Sequence, residues 1–287
     1  MPLGNGHRRA RSYFTDSPEF LRLVDGDPAA DLTRIALEIA RDAYPELKQE
    51  AYLTRIEALA ERVRERCPAG ARVKQVLGQI NWVLFVEEGY RGNTESYYDP
   101  RNSYLNEVID RKTGIPITLS VLYLALGRRL GLPMAGVNLP AHFVLRAGQG
   151  DSTVFVDPFH AGTLLDRKGC EKRVAEQTGQ RVALSDAELA PCPCPLVVSR
   201  MLRNLKALYV QQHDYTSAIP VLRRLAALNP GEALERRDLG VMCLQTGLPG
   251  EATEHLQAYL HLTPQPDDAK LIVPLLRMAR SEVAMSN

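Results

Sequence analysis

Two residues near the middle of the chain, His142 and Asp157, are of the types that activate a nucleophile in a Cys-His-Asp site. In such a site the histidine accepts the proton of the thiol, and the aspartate orients the imidazole. The thiol works best at a helix N-terminus, where the helix dipole and the neighbouring imidazole lower its pKa. The residue that begins the helix before His142 therefore decides whether this chemistry is complete.

A helix is predicted to begin at Pro116 and to stop at Gly131. A proline lacks only an N–H that the first helical position would leave unpaired, and glycine is a common helix stop. Apolar side chains at steps of three and four form one buried face: Leu119, Leu122, Tyr123, Leu126 and Leu130. The Pro116 side chain has no ionisable proton and no lone pair, so the position expected to supply the nucleophile cannot do so.

Three short runs with strand character follow this helix: residues 134–139, 142–146 and 154–158. The turn-rich loop 147–152 joins the last two runs and predicts a hairpin. Because facing residues of an antiparallel pair lie close together, the hairpin is expected to bring His142 and Asp157 side by side.

Five segments in this order resemble the bacterial SirB family: residues 88–93, 102–105, 114–119, 140–143 and 157–159. That family has a degenerate transglutaminase-like domain followed by tetratricopeptide repeats, and the resemblance covers most of the chain from Phe14 onward. It implies an α+β fold, in which a papain/transglutaminase-like core with an N-terminal helical cap precedes an all-α tetratricopeptide helical array. His142 and Asp157 match the family's histidine and Asp-Pro positions, Pro116 stands at the vestigial nucleophile position, and a regulatory role is implied.

Other side chains could supply the nucleophile in place of Pro116, so an enzyme is the alternative to a binding protein. Thr118 and Ser120 either act as relocated nucleophiles or satisfy local backbone groups near the helix start. Cys170 lies beside basic residues that favour a thiolate, or is an ordinary buried cysteine. With a relocated nucleophile, the histidine and aspartate would serve an amidase or a peptidase. Without one, they form a structural or ligand-binding pair.

The first ninety residues predict three amphipathic helices that cap the core. Their apolar stripes are Leu32, Ile35, Ala36, Ile39 and Ala40, then Leu53, Ile56, Leu59, Ala60 and Val63, then Val73, Val76, Leu77, Ile80, Trp82 and Leu84. The predicted divisions are a disordered tail at 1–15, a transglutaminase-like domain at 16–190 (cap 16–90, core 91–190), a linker at 191–198, and repeats with a capping helix at 199–287.

A polar loop between cap and core supplies candidate binding residues: Tyr98, Arg101, Asn102 and Tyr104. These side chains are of types that recognise a small ligand or a peptide at the mouth of a cleft. In the alternative the segment is a turn, and Asn102 or Ser103 caps the helix that follows.

The C-terminal part repeats with a period of thirty-four residues. Leu205, Tyr209, Ala218, Leu222 and Pro230 recur as Leu239, Cys243, Ala252, Leu256 and Pro264. This period, with alanine at the helix crossing and proline at the end, is typical of tetratricopeptide repeats. Candidate contacts on the repeat surface are Asn204, Lys206, Gln211, Arg237 and Gln245. The repeats either bind a partner with these residues or brace the core.

Composition limits the remaining function classes. The 287 residues carry a net charge of +1, which does not predict binding to nucleic acid or to anionic membranes. No apolar run approaches the ~18–20 residues of a membrane span, and no secretory signal is predicted. Five scattered cysteines favour a reducing cytoplasm, and Cys192-Pro193-Cys194 alone is a weak metal signal. We expect a protein or peptide partner, no metal and no cofactor.

Overall fold

A computed structural model describes residues 12–285 of the chain. Two compact units make up the protein: Pro28–Met201, and Met1–Asp27 together with Leu202–Asn287. Residues 1–11 of the expected disordered tail at 1–15 lie outside the described residues, and Phe14, in the remainder, is not disordered but buried against Phe20. Within residues 12–285, no helix is both long enough and apolar enough to cross a membrane.

The helices are α1 (Pro18–Val24), α2 (Leu32–Arg41), α3 (Gln49–Arg66), α4 (Val73–Asn81), α5 (Leu105–Arg111), α6 (Pro116–Arg129), α7 (Arg167–Thr178), α8 (Cys194–Gln211), α9 (Tyr215–Leu228), α10 (Ala233–Gln245), α11 (Pro249–Leu262) and α12 (Ala269–Met285). The strands are β1 (Arg91–Gly92), β2 (Thr113–Gly114), β3 (Met134–Val137), β4 (Val144–Ala147), β5 (Val154–Asp157) and β6 (Thr163–Leu165). The α+β core and the helical array expected from the sequence are confirmed.

The three predicted cap helices are α2, α3 and α4. Asp31 begins α2 by accepting a hydrogen bond from the Thr33 amide at 2.8 Å, which satisfies a donor that the first turn leaves free. The apolar stripes pack inward as predicted, with Ile35, Ile56 and Ile80 fully buried.

Trp82 departs from the predicted stripe. The chain widens into a π-helical turn over Trp82–Glu87, and the indole is 45% exposed. Its Nε1 donates to Glu87 Oε1 at 2.9 Å, and the Arg66 guanidinium lies 5.4 Å from the ring centroid. The reason is positional: Trp82 comes two residues after buried Ile80, whereas the buried face advances by three and four.

Helix α6 begins at Pro116, as predicted, and carries the buried side chains at the centre of the larger unit. Gly131 has a φ of +70°, and the amide of Leu132 returns to the carbonyl of Gly127 at 2.8 Å. This is the hydrogen-bonding pattern of a glycine-terminated helix.

An antiparallel sheet in the order β3-β4-β5-β6 packs beside α6. The predicted hairpin is β4-β5, in which Leu145 faces Val156. Sequence analysis missed β6 and also the two-residue parallel pair of β1 and β2, because such short segments carry no alternating pattern.

In the other unit, helices α9 to α12 follow the predicted repeat pattern. The tight crossing lies at Gly240, where an added Cβ would come within 2.7 Å of Leu256 Cγ. Tyr259, Ile272 and Leu276 are buried with Leu256, so α12 covers the last repeat.

The observed divisions differ from the predicted ones at two places. Helix α1 belongs to the unit that holds the repeats, although its residues were assigned to the cap by sequence. The predicted linker 191–198 is partly helical, since α8 begins at Cys194. Pro195 lies in the first turn of α8, where a proline removes no intrahelical hydrogen bond.

Candidate functional site

His142 lies in the tight loop between β3 and β4 and is only 1% exposed. Its amide donates to the Leu139 carbonyl at 3.3 Å, and Ala141 takes a left-handed φ of +55° to close this turn. Arg200 braces the same loop, because its Nη1 donates to the Leu139 carbonyl at 2.9 Å while the guanidinium lies over the Phe143 ring. The loop, rather than the strand start predicted from sequence, therefore fixes the imidazole.

Asp157 is the last residue of β5 and is fully buried. His142 Nε2 lies 3.1 Å from Asp157 Oδ2, so the predicted proximity of the two side chains is observed. Its origin differs from the prediction, because the β4-β5 register places Leu145 against Val156 and leaves His142 beyond the end of the ladder.

Two further side chains approach the same carboxylate oxygen. His160 Nδ1 lies 2.7 Å from Asp157 Oδ2, and Arg173 Nε lies 3.1 Å from it. Only the His160 contact has hydrogen-bonding geometry; His142 Nε2 and Arg173 Nε, both buried, have no hydrogen-bond partner among the described residues.

The Asp157 carboxyl is held in its ionised form. Burial alone would raise its pKa, but the contacts with His142 and His160 outweigh burial and hold the pKa well below the ordinary carboxyl value. A carboxylate at this position can orient an imidazole or pair with a cation, and it cannot donate a proton near neutral pH.

A network of polar contacts holds the turn that follows Asp157. Asn81 Nδ2 donates to the Gly162 carbonyl at 2.8 Å, and the Tyr123 hydroxyl donates to Asn81 Oδ1 at 2.9 Å. Gly162 has a φ of +70°, and a Cβ there would fall 1.9 Å from Asn81 Oδ1. Helices α4 and α6 thus hold Gly162, two residues after His160.

Residues 50–203, more than half of the chain, match the transglutaminase-like superfamily. The chain belongs to this superfamily. Residues 205–277 match the tetratricopeptide repeat, so the transglutaminase-like domain is followed by the repeats that the thirty-four-residue period predicted.

Relatives of this transglutaminase-like protein occur in bacteria and in mammals. It is 36% identical over 256 residues to the UPF0162 protein of Xylella fastidiosa (strain 9a5c), covering 88% of this chain and 90% of that protein. The UPF0162 protein of Vibrio cholerae is 27% identical over 256 residues, 88% of this chain and 94% of that protein. The F-box only protein 21 of Mus musculus is 38% identical over 142 residues, 47% of this chain but 22% of that protein.

Pro116 is buried at the first position of α6 in the transglutaminase-like domain, and α6 packs against the turn Pro158–His160. The Thr118 hydroxyl donates to the Asn102 carbonyl at 2.5 Å and is fully buried, which matches the alternative in which it satisfies backbone groups. Ser120 is also fully buried, and its hydroxyl has no partner among the described residues.

None of the thiols has the environment of a nucleophile. Burial raises the pKa of Cys170 to about 12, so its basic neighbours in sequence do not produce a thiolate. Burial likewise raises the pKa of the other four cysteines: Cys67, Cys192, Cys194 and Cys243.

The predicted binding residues of the polar loop separate into two groups. Tyr98 is 67% exposed, and Arg101 is exposed with its guanidinium paired to Asp99. Asn102 and Tyr104 are buried: Asn102 donates to the Ser96 carbonyl at 2.7 Å, and the Tyr104 ring packs on Tyr44.

The alternative in which Asn102 or Ser103 caps the following helix is wrong. Tyr104 is the N-cap of α5, and no side chain caps that helix. Residues 100–103 instead form a 3₁₀ turn, and Asp99 caps this turn by accepting from the Arg101 amide at 2.9 Å.

A row of aromatic rings that was not predicted from the sequence links the exposed loop to the buried histidine. Its ring centroids are 5.4 Å apart from Tyr98 to Tyr97, 6.2 Å from Tyr97 to Phe159, and 6.3 Å from Phe159 to His142. Phe159 and His160 could have been suspected, because Pro158 predicts a turn after Asp157. The contact of Arg173 with Asp157 could not be predicted from local sequence, since Arg173 lies in α7, sixteen residues after Asp157.

Ion pairs engage part of the predicted repeat surface. Lys206 contacts Glu235 at 2.8 Å and Asp238 at 2.6 Å, and Arg237 contacts Asp268 at 3.0 Å. Of the other predicted repeat contacts, Gln211 and Gln245 are exposed, and Asn204 is half-buried. Lys206 therefore joins α8 to α10, and Arg237 joins α10 to the turn before α12, whereas the two glutamines face solvent.

Proposed function

We propose that this chain is a catalytically degenerate transglutaminase-like/tetratricopeptide protein of the SirB type, acting as a cytoplasmic protein- or peptide-binding regulatory module. The proposal depends on one observation above all: Pro116 begins the helix from which a nucleophile would act. A proline at this position can pack but cannot attack a carbonyl carbon.

The surroundings of Pro116 support this proposal. Thr118 and Ser120 have no exposed surface, so a substrate carbonyl could not reach either hydroxyl without movement of α6. A thiol with raised pKa is mostly protonated near neutral pH, and the protonated form is a poor nucleophile. All five thiols of the chain are of this kind.

We place the binding surface on the row formed by Tyr98, Tyr97 and Phe159, which ends at His142. Tyrosine rings offer a large apolar area and one hydroxyl each, and they lose little conformational entropy on binding. Tyr97 is 38% exposed and Tyr98 is 67% exposed, so both are accessible to an extended peptide. This row flanks the cleft of the buried His142 and Asp157, which support it from within and do not cleave the bound chain.

We propose that the repeats bind a partner of their own through Gln211 and Gln245. The match to the tetratricopeptide repeat favours a protein-interaction role in general. Because Lys206 and Arg237 already pair within the array, the uncharged exposed side chains are the better candidates for contact with a partner.

Affinity capture with purified variants tests the proposal. The wild-type protein, Tyr98→Ala, His142→Ala and a Gln211→Ala/Gln245→Ala double variant are each used to capture partners from a native lysate. Glu95→Ala is the matched control, because Glu95 is exposed in the same loop but is not a candidate binding residue. We expect Tyr98→Ala and the double variant to lose partners that Glu95→Ala retains.

An activity measurement distinguishes the proposed binding module from an amidase or a peptidase. Wild-type protein is incubated with peptide amides and with an amine acceptor, and hydrolysis and acyl transfer are followed by mass spectrometry. We expect neither reaction. Turnover that disappears in His142→Ala would falsify the degenerate assignment and establish the amidase or peptidase instead.

A further inference from the structure

His142, Asp157 and His160 bring three groups that bind metal ions to one position. Their ligand atoms, one imidazole nitrogen from each histidine and a carboxylate oxygen, all lie within 4.8 Å of one another. Zinc–nitrogen distances of about 2.0–2.1 Å and zinc–oxygen distances of about 2.0–2.2 Å place neighbouring tetrahedral ligands roughly 3.3 Å apart. The observed separations of 3.1 Å and 2.7 Å from Asp157 Oδ2 need to widen by about 0.2 Å and about 0.6 Å to reach this distance.

Two buried atoms of this cluster have no hydrogen-bond partner among the described residues. They are His142 Nε2 and Asp157 Oδ1, on side chains that are 1% and 0% exposed. Unpaired polar atoms in a protein interior are uncommon because each costs about 1–3 kcal/mol of desolvation. A metal ion would use both, since nitrogen and carboxylate lone pairs are the ligands it requires.

Two carboxylates and one guanidinium surround the cluster. Asp157 and Glu176 are acidic, and Arg173 lies between them with its Nη1 2.8 Å from Glu176 Oε2. The three side chains together carry one negative charge. Glu176 can remain paired with Arg173 when the Asp157 carboxylate rotates to coordinate a metal ion.

The cluster is also accessible from solvent. The His160 side chain is 32% exposed, whereas His142 and Asp157 are buried. An ion can therefore reach the cluster past His160, and a fourth ligand can approach from the same side.

We infer that His142, Asp157 and His160 form a binding site for one zinc ion, with the fourth position open. Two imidazoles and one carboxylate are a ligand set that selects zinc or a similar first-row divalent ion over magnesium or calcium. Zinc binding is measured on purified protein without a partner, so its failure can be told apart from failure of the binding function proposed above.

Zinc titration of untagged protein tests the site. The protein is stripped with a chelator, and its affinity for zinc is measured against a chromophoric competitor; dialysis and elemental analysis give the stoichiometry. We expect one zinc per chain, and weakening of at least about ten-fold in His160→Gln, since even loss of an outer partner of a metal ligand costs that much. His160→Gln is suitable because its side chain reaches the surface.

The matched control is His261→Gln, which changes an exposed histidine of the repeats. It should bind zinc like the wild type. Zinc should also raise the melting temperature of the wild type and of His261→Gln but not of His160→Gln. If dialysed wild-type protein retains no zinc, or if His160→Gln binds it with unchanged affinity, the site does not exist.

Discussion

His142 Nε2 lies 3.1 Å from Asp157 Oδ2, and both side chains are buried. In an activated-nucleophile site this contact would orient the imidazole toward a thiol. Here the same carboxylate oxygen also lies 2.7 Å from His160 Nδ1 and 3.1 Å from Arg173 Nε. Asp157 is therefore the centre of a charged cluster whose structural value does not depend on catalysis.

The first prediction concerns stability in acid. Because the pKa of Asp157 is lower in the folded protein than in the unfolded chain, the native state binds fewer protons. The stabilisation is complete above the unfolded-state pKa of about 3.9 and is lost progressively as the pH falls below it. Urea unfolding of the wild type between pH 7 and pH 3 should show a fall in free energy of unfolding in this range.

Asp157→Asn removes the carboxylate responsible for that dependence. We expect a loss on the order of 3 kcal/mol at pH 7, as for other broken buried pairs, and a flatter response to acid. Asp186→Asn is the control, because its side chain is 94% exposed and should change neither quantity. An acid response that is equally steep in Asp157→Asn would contradict the assigned role.

The second prediction restores a thiol at the start of α6. If Pro116 occupies the nucleophile position, the new side chain of Pro116→Cys lies at a helix N-terminus near His142, and its pKa falls below the about 8.5 of a free cysteine. Each unit of lowering increases the thiolate fraction near pH 6.5 roughly ten-fold. Iodoacetamide labelling followed by peptide mass spectrometry measures the rate at this residue.

The same experiment in a Pro116→Cys/His142→Ala background shows whether the imidazole is responsible. We expect the rate to fall toward that of an ordinary thiol. A labelling rate that does not depend on His142 would place Pro116 away from the vestigial site.

The third prediction concerns the natural thiols. Since burial raises the pKa of every cysteine, alkylation of the wild type should be slow at pH 6–7 and should increase continuously above pH 9. Cys170 and Cys243 are buried and should react last. One cysteine that reacts fully at pH 6 would reveal a nucleophile and support the enzyme alternative.

Most of the architecture could be predicted because it depends on local patterns. Apolar spacing located α2, α3, α4 and α6, the turn-rich loop located the β4-β5 hairpin, and the thirty-four-residue period located the repeats. The ends of helices and strands were predicted less accurately than their presence. The run that was predicted to begin a strand at His142 begins it at Val144, because the turn at Ala141 extends further than its residues indicate.

The site was only partly predictable, for a physical reason. His142 and Asp157 lie near the ends of one hairpin, so sequence order alone suggests their contact. Arg173 and Arg200 reach the same region from helices α7 and α8, and no short-range pattern encodes such contacts. The proposed metal site was not predicted for a similar reason: Asp157 and His160 are three residues apart, but the third proposed ligand, His142, lies fifteen residues earlier, in a different loop.

The last prediction concerns helix packing in the repeats. An alanine at Gly240 would place its Cβ 2.7 Å from Leu256 Cγ and 3.0 Å from the Leu256 backbone nitrogen. Because the backbone cannot move aside as a flexible side chain would, α10 and α11 must separate. We expect Gly240→Ala to lower the free energy of unfolding by about 1–3 kcal/mol, the usual cost of overpacking.

Gly250→Ala is the matched control for Gly240→Ala. Gly250 is in α11 and has nothing within 4 Å of the added Cβ, so the substitution should be neutral or should stabilise the helix by roughly 0.5–1 kcal/mol. Thermal and urea unfolding of the full chain compare the two variants. Equal stability of both would mean that the helices tolerate the larger side chain, and that the close crossing at Gly240 does not hold the repeats together.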